Sequence, residues 1–491
     1  MRGYLLPGWF KYLFLMAILF LSACESVKRP QNLASQSGAP KPDYIDSNKT
    51  RFPLNNYPQA VDNWIPVTAD NNDVPVMSQA DQKKYFTALL SKYYGMGVRD
   101  KSPWNPSYIT HILNNHPEKN RDVSIRQTLS VGSLSWGENF RINSTRWKEE
   151  IRSNSTGTIS TRYQASSRAI TVRETRVRAL PTEQPAYHDP QRAGEGYPFD
   201  YLQMSAIQPA TPIYILTESQ DKAWRYVISP AVTGWVKSED IATVNSSFVT
   251  RWTALAIKNI GAVIQHSVSV QQGKQFYFLA RPGTILPFEH HRSGYFSAFI
   301  PVRKADGSAL IKSVPVHEKM FTAVPWPMTR TNIATLMKSM SGRPYGWGNS
   351  LFYNDCSSEL RNLMMPFGIL LPRNSAAQIK SAARIVDLSK ESLQDRIAYL
   401  EKHGRAFTTL VYLPGHIMLY IGNSQINGKS VPMTYQNLWG LRPRNTESRS
   451  IVGSAVFFPL LDIYPERPEM ISLADKKEFK LGYLETGNDN E

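Results

Sequence analysis

The alternation of apolar and polar positions changes period several times along the chain. Residues Tyr12 to Leu21 form an unbroken apolar run behind Arg2 and Lys11. A membrane-spanning helix needs roughly 20 apolar residues, so this shorter run predicts a secretory signal over residues 1–23. The polar stretch that follows, residues 24–60, is rich in Ser, Asn, Lys and Pro and predicts a tether. Residues 61–150 mix loop and helix. There Ser78-Gln-Ala-Asp81 has the form of a helix cap, and Tyr85, Phe86, Leu89, Leu90 and Tyr93 share one helical face. From Ala169 the period shortens to that of strands broken by turns. Ala169-Ile-Thr-Val-Arg, Pro212–Leu216, Ala223–Ile228 and Gly234-Trp-Val predict a small β-barrel within residues 151–244. A second β-rich unit is expected over 245–318, with strands at Phe276–Leu279, Gly283–Leu286 and Tyr295–Ile300 and a turn at Asp306-Gly307. Thr331 predicts the cap of a helix bearing Ile333, Leu336, Met337 and Met340, and a further helical run carries Leu360, Leu363, Met364 and Phe367. Thr409–Leu413, His416–Ile421 and Thr434–Asn437 then read as strands, with a hairpin signal at Asn427-Gly428. Residues 466–491 are a charged mixture expected as a tail.

At 491 residues the chain is too long for one core, and its 42% hydrophobic and 20% charged residues suit folded protein. Lys+Arg 56 against Asp+Glu 40 gives a formal net charge of +16, which favours polyanions: nucleic acid, anionic lipid or an acidic wall polymer. The scattered placement of the basic residues argues against nucleic acid. Two cysteines, Cys24 and Cys356, exclude a disulfide framework and a four-cysteine zinc site. Leu21-Ser-Ala-Cys24 resembles the bacterial lipobox, which implies lipidation of Cys24 and a membrane anchor there. Glu25 stands where the inner-membrane retention signal usually has Asp. That resembles sorting to the outer membrane of a Gram-negative cell, facing the periplasm.

Cys356 follows Asp355 and opens a helical run. A thiol there meets the positive end of the helix dipole, which predicts a lowered pKa and an available thiolate. An isolated cysteine otherwise reads as a packed core residue. His416 opens a strand after Pro-Gly, and Gln436 lies on the next strand, where it can orient an imidazole. His290-His291 lacks a helically spaced partner, and Gly194-Glu-Gly lacks the context of a phosphate loop. Neither a metal nor a cofactor is expected.

Taken together, Tyr345-Gly-Trp-Gly, Asp355-Cys-Ser357, Leu371-Pro-Arg-Asn-Ser375 and Gly415-His416 resemble the NlpC/p60 family of cell-wall cysteine peptidases, over about residues 319–465. Upstream, Arg176–Thr182, Gly194–Gln203 and Gly234-Trp235 resemble the subgroup with an N-terminal stabilising domain and two bacterial SH3-like domains. The resemblance implies a multidomain α+β protein: a helical or irregular first domain, two SH3-like barrels and a papain-like catalytic domain. It implies Cys356 as nucleophile, His416 as base and Gln436 as the third polar residue, where relatives more often have His. Asn349 replaces a frequent Gly, and Tyr345 sits beside the nucleophile. The implied substrate is a peptidoglycan stem peptide cut after γ-linked D-glutamate. Arg373, Ser357 and Ser375 are then candidates for its α-carboxylate, with Ser375 also able to cap a helix. Asp355 and Glu195 are candidates for a free L-alanine ammonium. A wall-binding scaffold with a vestigial peptidase domain, and a thiol amidase or acyltransferase on the same fold, are the alternatives.

Overall fold

The computed structural model describes residues 51–66, 73–130, 136–192, 194–426, 428–446 and 448–486. The signal, Cys24, most of the expected tether, Asn427 and the side chains of His290 and His291 lie outside the described residues. The tether expectation fails at its end. Phe52 and Tyr57 are buried with their rings edge-on against Phe458, and Gln59 pairs with the Phe457 backbone at 2.9 and 3.0 Å. Two aromatic anchors hold this segment against the C-terminal domain although its overall composition is polar.

Helix α1 (Gln79–Tyr94) starts where Ser78 accepts the Asp81 N–H, and it ends at Gly95, whose φ of +66° is a left-handed cap. Leu89, Leu90, Tyr93 and Tyr94 form its buried face. Helices α2 (Pro106–Asn114), α3 (Pro117–Thr128) and α4 (Thr145–Asn154) complete the N-terminal region.

The first β unit is one curled antiparallel sheet of β1 (Arg168–Thr171), β2 (Thr175–Arg178), β3 (Gln203–Ile207), β4 (Pro212–Glu218), β5 (Trp224–Ile228), β6 (Thr233–Lys237) and β7 (Ile241–Thr243). Its order is β3-β2-β6-β5-β4-β1-β7, around Ala169, Val177, Ile213, Val227 and Val236. Arg178 is buried. It is ion-paired with Asp200 and donates to the Thr182 and Gln184 carbonyls, which holds the long β2–β3 loop to the barrel.

The second β unit opens on a helix rather than a strand. In α5 (Ser246–Lys258), Asn245 accepts the Phe248 N–H, and Phe248, Trp252 and Ala256 recur every four residues on the buried side. That period lies in the sequence, but the β-rich residues after it hid it. Strands β8 (Ile260–Val263), β9 (Val268–Gln272), β10 (Gln275–Ala280), β11 (Ile285–Arg292), β12 (Tyr295–Arg303), β13 (Ala309–His317) and β14 (Phe321–Ala323) follow. They form a five-stranded sheet, β13-β12-β11-β8-β14, and a separate β9–β10 hairpin.

In the last domain α6 (Arg330–Met340) is capped by Thr329, not Thr331. Thr329 accepts the Asn332 N–H, whereas the Thr331 hydroxyl donates to Asp73. Helix α7 (Cys356–Met364) is buried along its whole length. It packs Leu360, Leu363 and Met364 onto Leu410, Ile417, Leu419 and Tyr435 of the sheet behind it. After α8 (Ser375–Lys380), strand β15 (Arg384–Asp387) and α9 (Leu393–His403), that sheet is built from β16 (Thr409–Leu413), β17 (His416–Ile426), β18 (Lys429–Leu441), β19 (Ser450–Pro459) and β20 (Lys480–Tyr483). The order is β15-β20-β16-β17-β18-β19, all antiparallel. The expected tail therefore supplies an internal strand, because Phe479, Leu481, Tyr483 and Leu484 are apolar enough to be fully buried. Among the described residues no helix is long and apolar enough to cross a membrane.

Candidate active site

Asp355 starts α7 with a reciprocal capping box. Its carboxylate accepts the Ser358 N–H at 2.9 Å, and the Ser358 hydroxyl accepts the Asp355 N–H at 2.9 Å. Cys356 thus occupies the first helical position, next to the backbone of the β16–β17 turn. Its thiol donates to the Gly415 carbonyl at 3.9 Å. The expected lowering of its pKa does not occur. Burial and then the neighbouring Asp355 charge push the thiol up to about 12, outweighing backbone donors from Ile417 and Ser357.

Pro414-Gly415 turns β16 into β17, with Gly415 at φ +78°, and leaves His416 opposite Leu413. The imidazole Nε2 lies 2.6 Å from Gln436 Oε1. Three linked bonds fix the direction of that contact. The Thr434 hydroxyl donates to the Phe458 carbonyl at 2.8 Å, so its oxygen is left to accept from Gln436 Nε2, also at 2.8 Å. Gln436 must therefore present its carbonyl oxygen to the ring. His416 carries its proton on Nε2 and keeps a lone pair on Nδ1. Burial pushes this imidazole down to about 4, against the Gln436 hydrogen bond and the Asp355 charge. Both shifts favour the uncharged forms, a thiol and a neutral imidazole.

Thr434 was not singled out in the sequence, although its signal was present. It stands two residues before Gln436 and so on the same face of β18. The opposite face of that strand holds another group the sequence did not flag. Glu359 of α7 is buried and accepts from Tyr435 Oη at 2.5 Å and Asn354 Nδ2 at 2.8 Å. Burial raises its pKa, and these donors oppose the rise. One strand thus orients the His416 ring from one face and fastens α7 with the other.

The expected substrate-binding residues divide. Arg373 reaches Asp355 through Nη2–Oδ2 at 2.6 Å and Nη1–Oδ1 at 3.2 Å, and donates to Ser357 Oγ at 2.8 Å and Ser205 Oγ at 2.7 Å. Burial raises the Asp355 pKa, but Arg373 and the Ser357 and Ser358 donors more than cancel this and hold it below the carboxylate range. The Arg373 guanidinium is thus committed to Asp355 and not left open to a carboxylate. Ser375 is the first residue of α8, which Asn374 caps, not Ser375. Glu195 accepts from Tyr201 Oη at 3.0 Å on the long β2–β3 loop. Its neighbour Gly194 reaches the cleft. Tyr345 is half-buried close enough to feel the Cys356 charge, and its ring lies 5.8 Å from Trp439.

The first β unit also touches the loop before α7 directly. Gln203 donates to the Gly348 carbonyl at 2.8 Å. Asn349, at φ +63°, donates to Ser358 Oγ at 3.0 Å and accepts from the Ala206 N–H at 3.4 Å. Asn tolerates the left-handed backbone, and its amide couples β3 to the start of α7. In front of His416 lies a cavity of about 350 Å³. It is lined by Tyr345, Trp347 and Trp439, by Gly194 and Phe199 of the SH3-like unit, and by Arg442, Arg449 and Lys476. Among the described residues no group of three His, Cys, Asp or Glu side chains is placed to hold a metal.

Residues 185–237 match the family model of the SH3 domain of SH3b1 type. Among solved structures, an NlpC/P60 endopeptidase from Photobacterium damselae subsp. piscicida is 26% identical, with a TM-score of 0.76 over 88% of this chain and 98% of its own. An NlpC/P60 family protein from Bacillus cereus is 14% identical, with a TM-score of 0.41 over 62% of this chain and 98% of its own. No curated protein sequence matches the chain. The protein is a multidomain α+β chain with an SH3b-type β domain and an NlpC/P60-like fold. That likeness supports a cysteine peptidase or related hydrolase.

Proposed function

We propose that this protein is a γ-D-glutamyl–diamino acid endopeptidase acting on peptidoglycan stem peptides, with a preference for peptides whose L-alanine amine is free. The observation that carries this is the hydrogen-bonded series Thr434–Gln436–His416, which leaves Nδ1 unprotonated on the residue next to Gly415, whose carbonyl accepts the Cys356 thiol. As Sγ attacks the γ-carbonyl, its proton passes to Nδ1, because neither group is charged at rest. The Cys356 N–H, unpaired within the first turn of α7, is available to the developing oxyanion. The imidazolium then returns its proton to the leaving amine, and water hydrolyses the thioester by the reverse steps.

Support for the free-amine preference comes from Asp355 and the docked SH3-like strand. Asp355 Oδ2 accepts from Arg373 and keeps a second lone pair suited to an ammonium. Ser205 and Ala206 of β3 stand against Arg373 and Asn349, where they limit room for bulk beyond the alanine. The test is hydrolysis of L-Ala-γ-D-Glu-diamino acid against its N-acetylated form. A preference of ~100-fold or more for the free amine is expected, and equal rates would leave a general wall hydrolase.

The burial of Cys356, 7% exposed, favours the second reading of a wall-binding scaffold. Covalent capture of Cys356 by a thiol-directed probe at neutral pH supports the enzyme; complete inertness supports the scaffold. We also read Cys24 as a lipid anchor to the periplasmic face of an outer membrane. Membrane fractionation of Cys24→Ser that matches wild type would overturn that reading.

A further inference from the structure

A second cavity, of about 400 Å³, lies where three parts of the chain meet, and it shares no lining residue with the cavity before His416. Helix α1 contributes Tyr85 and Lys92, the β5–β6 turn contributes Ala231, and Arg361 of α7 stands beside the segment that leads to α8. Half-buried Tyr85, Ala231, Leu370 and Pro372 give it an apolar wall, and no carboxylate lines it. A cavity of this size, mostly apolar with a few convergent polar groups, suits a small organic ligand.

Its charge comes from Arg361 and Lys92. Arg361 is only 8% exposed, yet among the described residues it has no carboxylate partner. Its Nη1 donates to the Leu371 carbonyl at 2.7 Å, and the Tyr93 hydroxyl gives it a second neutral acceptor. A guanidinium has five N–H donors, so these two acceptors leave its charge unbalanced and donors to spare. Lys92 is half-buried and makes no hydrogen bond or ion pair among the described residues; the Tyr108 ring lies 5.9 Å from its ammonium. Burial, and then the charges of Lys101 and Arg361, lower the Lys92 pKa. Burial lowers the Arg361 pKa as well, against Tyr93, and the Arg373 charge adds to the fall. Arg373 also lines the cavity, but it is committed to Asp355 and Ser357 and supplies field rather than a donor. Two desolvated cations side by side are costly, and an anion that enters between them offsets that cost.

Independently of the peptidase reading, we propose that Arg361 and Lys92 hold the carboxylate of a small organic acid whose apolar body lies against Tyr85, Leu370 and Pro372. An inorganic anion meets the cations but leaves the wall bare. An uncharged amide covers the wall but leaves the cations unpaired. Only a carboxylate joined to an apolar group satisfies both, a chemistry that a free acid shares with the C-terminus of a peptide.

The experiment titrates the full chain with N-acetyl-L-leucine, with its carboxamide and with inorganic phosphate, each followed by ligand-observed NMR. Wild type is expected to bind N-acetyl-L-leucine with a Kd of about 1 mM or tighter, the range open to so small a ligand. The carboxamide and phosphate should bind at least about tenfold more weakly. Lys92→Gln should weaken the N-acetyl-L-leucine complex about tenfold, and Lys92→Arg should keep it. Because the Lys92 amine bonds to nothing among the described residues, both variants leave the packing in place, which an unchanged circular-dichroism spectrum checks. A fourth probe, acetyl-Ala-Ala-Leu, separates the two sources: tighter binding assigns a peptide C-terminus and equal binding a free acid, and either supports the site. Failure of N-acetyl-L-leucine to bind would overturn the proposal. Equal binding of the carboxamide would leave an apolar cavity without anion recognition, and equal binding of phosphate an adventitious ion only; both overturn it. So would binding that Lys92→Gln leaves unchanged, which would place the probe elsewhere on the chain.

Discussion

At the scale of single residues, the candidate site is built from polar groups that fix one another's direction. Cys356→Ala should abolish hydrolysis and leave the fold intact, since it removes the nucleophile and little buried volume. Gln436→Ala should lower kcat by ~10–100-fold, because orientation is lost while the base remains. Thr434→Val should reproduce part of that loss. The Gln436 amide then loses the acceptor that sets its direction, and Gln436 Nε2 is left unpaired at a fully buried site. If Thr434→Val matched wild type, the assigned ring tautomer would be wrong. The pH dependence follows from His416. A base must be unprotonated, and burial holds this imidazole near 4 against an ordinary 6.5. Activity should therefore survive through mildly acid pH and fall as pH drops through about 4, which a kcat/KM profile reads directly. The same depression acts on stability. Between about 6.5 and 4 the unfolded chain binds a proton that the folded chain refuses, so stability falls as pH falls through that window.

At the scale of elements, strand β18 serves two purposes because its side chains alternate. Thr434 and Gln436 hold the base, and Tyr435 and Asn437 hold Glu359 on the nucleophile helix. Tyr435→Phe leaves a buried carboxylate short of a donor and should destabilise the domain by about 1–3 kcal/mol, measured by denaturant unfolding. Strand β20 is equally integral. Deleting the chain from Phe479 onward exposes two neighbouring strands and the core side chains of Leu481 and Tyr483, so the catalytic domain should not accumulate folded. Normal expression and activity of that truncation would contradict the observed sheet order. The helix that Cys356 opens, the Pro-Gly hairpin and about half the strands of the two β units were legible in the sequence, because their periods and turn residues are local. The α5 helix, β20 and the buried ends of the tether were not, since charged neighbours or a change of period concealed short apolar runs. The Asp355–Arg373 pair could not be read from spacing at all. Which of several donors a carboxylate takes is decided by tertiary packing.

At the scale of the whole molecule, the SH3-like unit is part of the site, and not merely a neighbour on the same chain. Its β3 donates through Gln203 and accepts from Arg373 through Ser205, and Asn349 joins it to the cap of the nucleophile helix. Its long loop brings Gly194 and Phe199 to the cavity before His416. Motif by motif, the sequence pointed to Cys356, His416 and Gln436, and the structure brings the last two to within 2.6 Å. The basic cavity was not legible, because Arg442, Arg449 and Lys476 are scattered among a surplus of basic residues and meet only in the fold. The central claim is that this assembled cleft hydrolyses the bond after γ-linked D-glutamate through Cys356. The most direct measurement is the mass of the products when purified muropeptides are digested by wild type and by Cys356→Ala. Wild type should release L-alanyl-D-glutamate together with peptides that begin at the diamino acid, and the variant should release neither. Products cut at the sugar–alanine amide, or the same products from Cys356→Ala, would contradict the account.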